Sequence, residues 1–296
     1  MERIQTAINK ARAQREREQT ASEQVLREQP VPVAPALARD AEAPHGGDAA
    51  LKDGPAPRAA WSEFRPMMPD ADHLLRNRIM TLHGGRNSVL YDQLRTKVLQ
   101  TMRANGWKRL AITSPAPGCG KSTVILNLAF SLARQPDLYT ILLEMDLRRP
   151  SLGGLLGLRT EKGIASWLEG RIGFAQQAAC YNFNLAFALC HQPRSDASDL
   201  LLQGRTGAAL TQMEERYQPD MMLFDMPPLQ ANDDMMAFAS QVDCVLIVAG
   251  AEQSTIKQID ACERDLAQQT NVMGVILNKC THLDTDSGYG YYDYAK

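Results

Sequence analysis

Residues 114–123, SPAPGCGKST, decide the fold. A phosphate-binding loop must turn backbone N–H groups toward the phosphates, so side chains are excluded where the chain comes closest, and a helix begins directly after it. Gly118 and Gly120 meet that need. Pro115 stands where the pattern G-x-x-x-x-G-K-[ST] has its first glycine, but this position lies at the start of the turn, away from the phosphates. The stretch therefore predicts a phosphate-binding loop although that glycine is missing.

The side chains after the second glycine have predicted contacts with a nucleotide and its metal ion. Lys121 is expected to reach the β- and γ-phosphates, Ser122 to bind Mg²⁺ and Thr123 to contact the α-phosphate. Cys119, inside the loop, is interpreted as a tolerated variable position of the nucleotide-binding backbone. The alternative is a reactive thiol at a helix N-terminus that acts as a redox switch, and this single local cue is all that favours it.

The loop lies within a regular alternation of apolar runs and helical patterns. Strands are predicted at residues 109–113, 139–146, 184–190, 221–225, 243–250 and 272–279. A helix is predicted from about residue 87, with Leu90, Leu94, Val98 and Met102 along one face. Continuous Val/Ile/Leu runs separated by helices predict an α/β fold, a P-loop NTPase-like mostly parallel sheet with helices on both faces. In such a sheet, ligands bind at the carboxyl ends of the strands.

Acidic residues end two of the predicted strands. The run MMLFD ends in Asp225, the position from which a carboxylate holds Mg²⁺ through a water molecule in P-loop NTPases. The run ILLEMD contains Glu144 and ends in Asp146, and strand alternation would place these two side chains on the same side. Either acid alone is more often a helix cap or a solvated strand end. Two acidic strand ends after a phosphate-binding loop predict a metal-nucleotide site.

Composition narrows the class of protein. The chain has 296 residues, 44% hydrophobic and 22% charged, with a formal net charge of -2, so nucleic-acid binding is not favoured. The six cysteines are scattered, without the close pairs of a zinc site, and indicate a reducing cytoplasm. No run approaches the ~18 apolar residues of a membrane span, so any membrane role needs a partner.

Composition also divides the chain into four parts. Residues 1–28 predict an amphipathic helical segment, and residues 29–60 a flexible Pro/Ala-rich linker, so that a helical and disordered region precedes the domain. Residues 61–281 form the predicted P-loop domain, and residues 282–296 a tyrosine-rich C-terminal tail.

These motifs together resemble the bacterial tyrosine kinases (BY-kinases), and within them the tyrosine autokinases of exopolysaccharide loci, a branch of the ParA/MinD-like P-loop ATPases. The loop matches the family form S-x-x-P-G-x-G-K-[ST], which includes Pro117. The run ILLEMDLRRP matches the second, displaced Walker motif, and DMPP matches the Walker B end. The resemblance covers roughly residues 74–296.

The resemblance implies an ATP-dependent protein-tyrosine kinase with Mg²⁺ as cofactor. Lys121, Asp146 and Asp225 are the implied catalytic residues, and Asp146 also joins Ser122 and Asp225 as a metal ligand. Asn278, in ILNK, is expected to contact adenine, within a nucleotide-binding set that extends from Pro117 to Thr123. The tail tyrosines are the implied sites of autophosphorylation: Tyr289, Tyr291, Tyr292 and Tyr294.

The family resemblance also implies partners. They are a membrane polysaccharide co-polymerase or activator, other copies of this chain and a cognate tyrosine phosphatase. The expected location is the cytoplasm, with recruitment to the inner face of the membrane by the activator.

Two segments depart from the family pattern. The ring-assembly motif E-x-x-R-x-x-R aligns to Val89, Asp92 and Arg95, so only Arg95 remains of it. The segment CHQPRSDASDLL lacks the form G-x-x-P-P-N-P that many members carry near the substrate. Assembly through that motif and the substrate-side loop therefore stay open.

Two other functions remain alternatives. A ParA/MinD-type positioning ATPase shares the fold, but it carries a lysine where this chain has Ala116, followed by glycine where it has Pro117. A nucleotide-binding scaffold that regulates a polysaccharide-export complex is favoured by the lost ring residues and opposed by the retained Lys121, Asp146 and Asp225.

Overall fold

The structure is a computed structural model that describes residues 58–280. The predicted N-terminal helical segment, nearly all of the linker and the tyrosine tail lie outside the described residues. Arg58, which falls within the predicted linker, contacts the domain. Its guanidinium pairs with Asp220 at 3.0 Å and lies 4.4 Å from the ring centre of Tyr139.

The described elements alternate along the chain as predicted. The strands are β1 Arg65–Pro66, β2 Arg109–Thr113, β3 Thr140–Glu144, β4 Ala179–Tyr181, β5 Leu185–Ala188, β6 Met221–Asp225, β7 Cys244–Gly250 and β8 Asn271–Asn278. The α-helices are α1 Ala71–Arg76, α2 Val89–Asn105, α3 Lys121–Ala133, α4 Leu152–Leu156, α5 Ile164–Leu168, α6 Ala197–Leu202, α7 Gly204–Tyr217, α8 Asp234–Phe238 and α9 Ile256–Ala267.

The strands form one eight-stranded sheet in the order β1-β4-β5-β3-β6-β2-β7-β8. The strands from β5 to β8 in this order run parallel to one another, while β4 pairs antiparallel with β5 and β1 continues parallel to β4. The predicted mostly parallel P-loop NTPase-like fold is confirmed. Sequence reasoning missed β1 and β4 because two or three residues show no periodicity.

Two apolar cores cover the two faces of the sheet. One contains Phe224, Phe238 and the aromatic side chains near Trp61, and the other contains the buried apolar residues of α3, among them Leu128 and Phe130. Every residue of β3, β6 and β7 is buried. This double coverage is the reason that these strands read as continuous apolar runs instead of alternating ones.

Strand register brings the predicted site residues to one edge of the sheet. β6 lies between β2 and β3, and Asp225 is opposite Ile112 of β2 and Glu144 of β3. The loop that follows β2 and the acids that end β3 and β6 therefore meet at the carboxyl end of the sheet, where ligands bind in this fold class.

Two local predictions were wrong. The strand predicted at residues 139–146 ends at Glu144, so alternation does not extend to Asp146. The predicted apolar face of α2 is buried only in its second half: Val98 and Met102 are buried, but Leu90 is 61% exposed. In the first turns of α2, Tyr91 and Leu94 are only partly buried against the core.

A buried asparagine ties the segment before α2 to the helix that follows the phosphate-binding loop. The Asn127 side chain accepts from the Met80 N–H at 2.8 Å and donates to the Arg78 carbonyl at 2.9 Å. The Thr81 hydroxyl donates to the Asn127 carbonyl at 2.7 Å. These bonds position α3, and with it the start of the site. No helix among residues 58–280 is long and apolar enough to cross a membrane.

The fold predicts that one cysteine reacts much faster than the other five. Cys280 is exposed, while the other cysteines are buried. Burial raises the pKa of Cys180, Cys190 and Cys262 to about 11 and that of Cys244 to about 12, so little thiolate forms there. Titration of the native protein with a chromogenic disulfide should show one rapid thiol, and unfolding in denaturant should reveal six. Loss of the rapid phase in Cys280→Ser identifies it, and several rapid thiols in the native protein would contradict the fold.

Candidate functional site

The loop between β2 and α3 has the backbone that a phosphate cradle needs. Gly118 and Gly120 adopt φ angles of 84° and 91°, which side chains strongly disfavour. A Cβ atom at position 120 would also lie 2.3 Å from the Asn278 Nδ2 atom. The Asn278 amide donates to the Cys119 carbonyl at 2.9 Å and so holds the outer side of the loop. Pro115 does not disturb this arrangement, and its carbonyl accepts from the Gln230 N–H at 3.2 Å.

Lys121, the first residue of α3, points across the site to a carboxylate. Its Nζ atom lies 3.0 Å from Asp146 Oδ2, and the two side chains are 12% and 5% exposed. Although burial acts to lower it, the carboxylates of Asp225, Asp146 and Glu144 hold the pKa of Lys121 above its ordinary value. The lysine is therefore a fully charged donor in a largely dry setting.

Asp225 is a fully buried acid that contacts Ser122. Its Oδ2 atom accepts from the Ser122 hydroxyl at 2.8 Å, and its Oδ1 atom is buried without a hydrogen-bond partner among residues 58–280. Burial raises the pKa of Asp225, while Lys121 and the Ser122 hydrogen bond oppose that rise. A buried oxygen without a partner costs about 1–3 kcal/mol unless a ligand, an ion or water satisfies it. This oxygen is thus a buried acceptor, next to the phosphate loop, to which residues 58–280 supply no donor.

Glu144 does not share the cavity with Asp146, contrary to the expectation from alternation. Its carboxylate is fully buried and accepts three backbone N–H groups: Ser151 and Leu152, both at 2.6 Å, and Cys190 at 2.9 Å. Burial raises its pKa to about 7 against the lowering effect of these three donors. Glu144 joins the loop after β3 to the loop after β5, and sequence reasoning did not assign it this role.

A cavity of about 570 Å³ opens between these groups. It is lined by the predicted Pro117, Gly118, Gly120, Lys121, Ser122, Thr123 and Asp146. The predicted Cys119, Asn278 and Asp225 do not line it: Asn278 bonds to the Cys119 carbonyl, and Asp225 accepts from Ser122. The Cys119 Sγ atom is buried and donates to the Ala116 carbonyl at 3.2 Å, so the proposed redox alternative gains no accessible thiol.

Cationic side chains also line this cavity. Arg148 is neutralised by the fully buried Asp234 through two bonds of 2.8 Å and 3.0 Å, and it also donates to the Ser195 carbonyl at 2.6 Å. Arg149 and Lys279 line the cavity mouth and are exposed. The partner of Arg148 lies 86 residues away in the sequence, and no local pattern reveals it.

The arrangement fits a polyphosphate with one hard cation. The loop amides and Lys121 supply donors to phosphate oxygens. The Ser122 hydroxyl, the Asp146 carboxylate and the buried Asp225 oxygen are oxygen donors of the kind that Mg²⁺ takes, commonly one or two carboxylates together with waters and phosphates. Residues 58–280 contain no group of three or more His, Cys, Asp or Glu placed to hold a metal by themselves.

Comparison with known proteins gives the chain its relatives. The family model ParA, described as the NUBPL iron-transfer P-loop NTPase, matches residues 107–292, more than half of the chain. The tyrosine-protein kinase wzc of Salmonella typhimurium is 30% identical over 62% of this chain, and YwqD of Bacillus subtilis, also named a tyrosine-protein kinase, is 28% identical over 72% of it. The match spans 26% of wzc and 89% of YwqD.

The solved kinase domain of VpsO has the same fold. It is 25% identical, with a TM-score of 0.60, and the match covers 71% of this chain and 98% of that domain. The predicted resemblance to bacterial tyrosine kinases is therefore confirmed. The roles assigned to individual site residues stay predictions.

The pairing of Arg148 with Asp234 predicts a large effect on stability. In Arg148→Met the Asp234 carboxylate stays buried without its cation, so we expect a loss of about 3 kcal/mol in the free energy of unfolding. In the double variant Arg148→Met/Asp234→Asn the buried charge is gone, and part of the loss should be regained. Urea unfolding measures both. Arg149→Met, which removes an exposed neighbour, is the matched control, and an equal loss in that control would contradict the assignment.

Proposed function

This chain belongs to the ParA family of P-loop NTPases, and from that premise we propose that it is an ATP-dependent protein-tyrosine kinase that phosphorylates its own C-terminal tyrosines. The family membership supplies nucleotide binding. The kinase activity is supported by relatives that are named tyrosine-protein kinases and by the fold shared with the VpsO kinase domain.

The observation that carries the proposal is the position of Lys279. This residue lines the cavity that also holds Lys121 and Asp146, and it precedes Tyr289 by ten residues (289 − 279). At ~3.3 Å per residue, ten residues reach up to roughly 33 Å. The tail tyrosines Tyr289, Tyr291, Tyr292 and Tyr294 are therefore within reach of this cavity or of that of a neighbouring copy.

The proposed chemistry uses groups that the structure brings together. Lys121 leaves Asp146 for the β- and γ-phosphates, which also frees the Asp146 carboxylate to accept the proton of the incoming tyrosine hydroxyl. The phenolic oxygen forms a bond to the γ-phosphorus as the bond from that phosphorus to ADP breaks. Mg²⁺, when bound by Ser122, Asp146 and Asp225, neutralises charge on the phosphates. Most of the acceleration comes from positioning and electrostatics.

Asp146 therefore has two states in this proposal. Without nucleotide it balances Lys121 across 3.0 Å, and with nucleotide the phosphates take over the lysine. In this exchange the phosphates would provide the charge opposite Lys121, and a bound Mg²⁺ would provide the charge opposite Asp146. Asn278 is proposed to contact adenine from its place against the Cys119 carbonyl.

The proposed setting is exopolysaccharide synthesis and export. A relative from Ralstonia solanacearum is named a putative tyrosine-protein kinase EpsB, and a Klebsiella pneumoniae relative is placed in a cps region. We propose a membrane co-polymerase as activator that recruits the chain from the cytoplasm to the inner face of the membrane, together with other copies of the chain and a cognate phosphatase. Phosphates on clustered tyrosines repel one another and would loosen such an assembly.

The ParA match also favours a second candidate, an ATPase switch. Ala116 and Pro117 argue against the ATPase switch. ParA/MinD-type positioning ATPases carry lysine and glycine at these two positions. A scaffold that binds nucleotide without turnover is a third candidate. These functions differ in their products, so one set of measurements separates them.

Incubation with ATP and Mg²⁺, with any membrane activator added, should place phosphate on the tail tyrosines. Lys121→Met should reduce the rate by about 10²–10³, because the lysine stabilises charge in the transition state. Phosphotyrosine mapping by mass spectrometry measures both. Lys97→Met, which removes an exposed lysine on α2, is the matched control and should behave as the unaltered protein.

The outcomes that contradict the kinase are distinct. Tail phosphate that persists in Lys121→Met, or its absence from the unaltered protein, overturns the autokinase. ATP hydrolysis without phosphotyrosine supports the ATPase switch. Nucleotide binding with neither activity supports the scaffold.

A further inference from the structure

Ser151 stands at the start of a helix and does not cap it. It occupies the N-cap position of α4, where a serine oxygen ordinarily accepts a backbone N–H of the first turn. No such bond forms here. The Ser151 hydroxyl instead lies 3.0 Å from the Ser122 hydroxyl, at the edge of the cavity that both residues line.

The direction of the two hydroxyl hydrogens follows from the number of donors available. An ionised Asp225 can only accept hydrogen bonds. The Ser122 hydroxyl must therefore donate its single hydrogen to Asp225 Oδ2, at 2.8 Å. Ser151 must then be the donor in its contact with Ser122. The Ser122 oxygen thereby accepts one hydrogen bond and keeps its second lone pair for a ligand.

Glu144 holds the backbone of Ser151 in place. Its Oε1 atom accepts the N–H groups of Ser151 and Leu152, both at 2.6 Å, and its Oε2 atom is itself held by the Cys190 N–H at 2.9 Å. The amides at this helix start are thus satisfied by a buried carboxylate. The serine hydroxyl is left for the contact with Ser122.

We infer that Ser151 is a positioning residue for Mg²⁺, acting through Ser122. The inference rests on the proposed function only in taking the ligand to be a nucleotide with Mg²⁺. Ser151 sets the rotation of the Ser122 hydroxyl, so that its hydrogen stays on Asp225 and its free lone pair stays available to the metal. Groups that orient metal ligands in this way typically change metal affinity 10- to 100-fold when they are removed.

A merely structural role predicts a different pattern. If Ser151 only supported the loop, its loss would weaken folding and nucleotide binding alike, with or without the metal. If it orients Ser122, its loss should raise the Mg²⁺ requirement alone. A threonine, which keeps the hydroxyl, should restore the behaviour of the unaltered protein.

The test measures binding of a fluorescent ADP, the methylanthraniloyl derivative, while Mg²⁺ is titrated from a chelator-buffered baseline. In Ser151→Ala the Mg²⁺ concentration for half-maximal tightening should rise about tenfold. Binding in excess chelator should be unchanged, and Ser151→Thr should match the unaltered protein. Ser62→Ala, which removes an exposed hydroxyl that donates only to the Ala59 carbonyl, is the control.

The inference is overturned if Ser151→Ala keeps the Mg²⁺ midpoint of the unaltered protein. It is overturned equally if the alanine and threonine variants are impaired to the same degree, or if Mg²⁺ has no effect on binding by the unaltered protein. Failure of the kinase proposal reads out separately, as absence of phosphotyrosine, and leaves this binding measurement intact.

Discussion

The burial of the Asp225 carboxylate constrains the rest of the site. Strand β6 lies between β2 and β3, so its last side chain emerges beneath the phosphate loop with no exposure to water. An acid so placed needs nearby donors or cations, because burying an unpaired charge costs several kcal/mol. Ser122 supplies one donor and Lys121 a charge, both from the first turn of α3. The sequence order of glycine, lysine and serine at the start of a helix that is buried from Val124 to Ala133 is therefore also the order that makes this buried acid tolerable.

Around this acid, the site separates into a fixed part and a part that can exchange partners. Glu144 joins the loops after β3 and β5 through its three backbone donors, and Arg148 joins the loop after β3 to the start of α8 through the buried Asp234. The pair of Lys121 and Asp146 is different, because both side chains line the cavity and either can turn to a ligand. Preorganised surroundings with one exchangeable ion pair suit a reaction that depends on positioning.

The strands and the phosphate-binding loop were predictable because each depends on a local sequence pattern. Strands β2, β6 and β7 are long, apolar and buried on both faces, and the loop after β2 has its own spacing of glycine and lysine. Contacts between residues that are distant in the sequence have no local pattern that would predict them. The role of Glu144 depends on Cys190, which follows β5, and Arg148 pairs with Asp234, which lies 86 residues later in the sequence. The sequence analysis did not single out Ser151, and only the structure shows the contact of its hydroxyl with Ser122.

The two acids of the run ILLEMD show how a local error about one strand changes a mechanism. Had β3 continued to Asp146, Glu144 and Asp146 would face the cavity together, and two carboxylates would compete for one lysine and one metal. Because β3 ends at Glu144, the chain turns there, and the two side chains contact different groups. The Glu144 carboxylate accepts from backbone N–H groups, and the Asp146 carboxylate pairs with Lys121. One carboxylate is thereby removed from the phosphate side, which lowers the repulsion that an incoming polyphosphate meets.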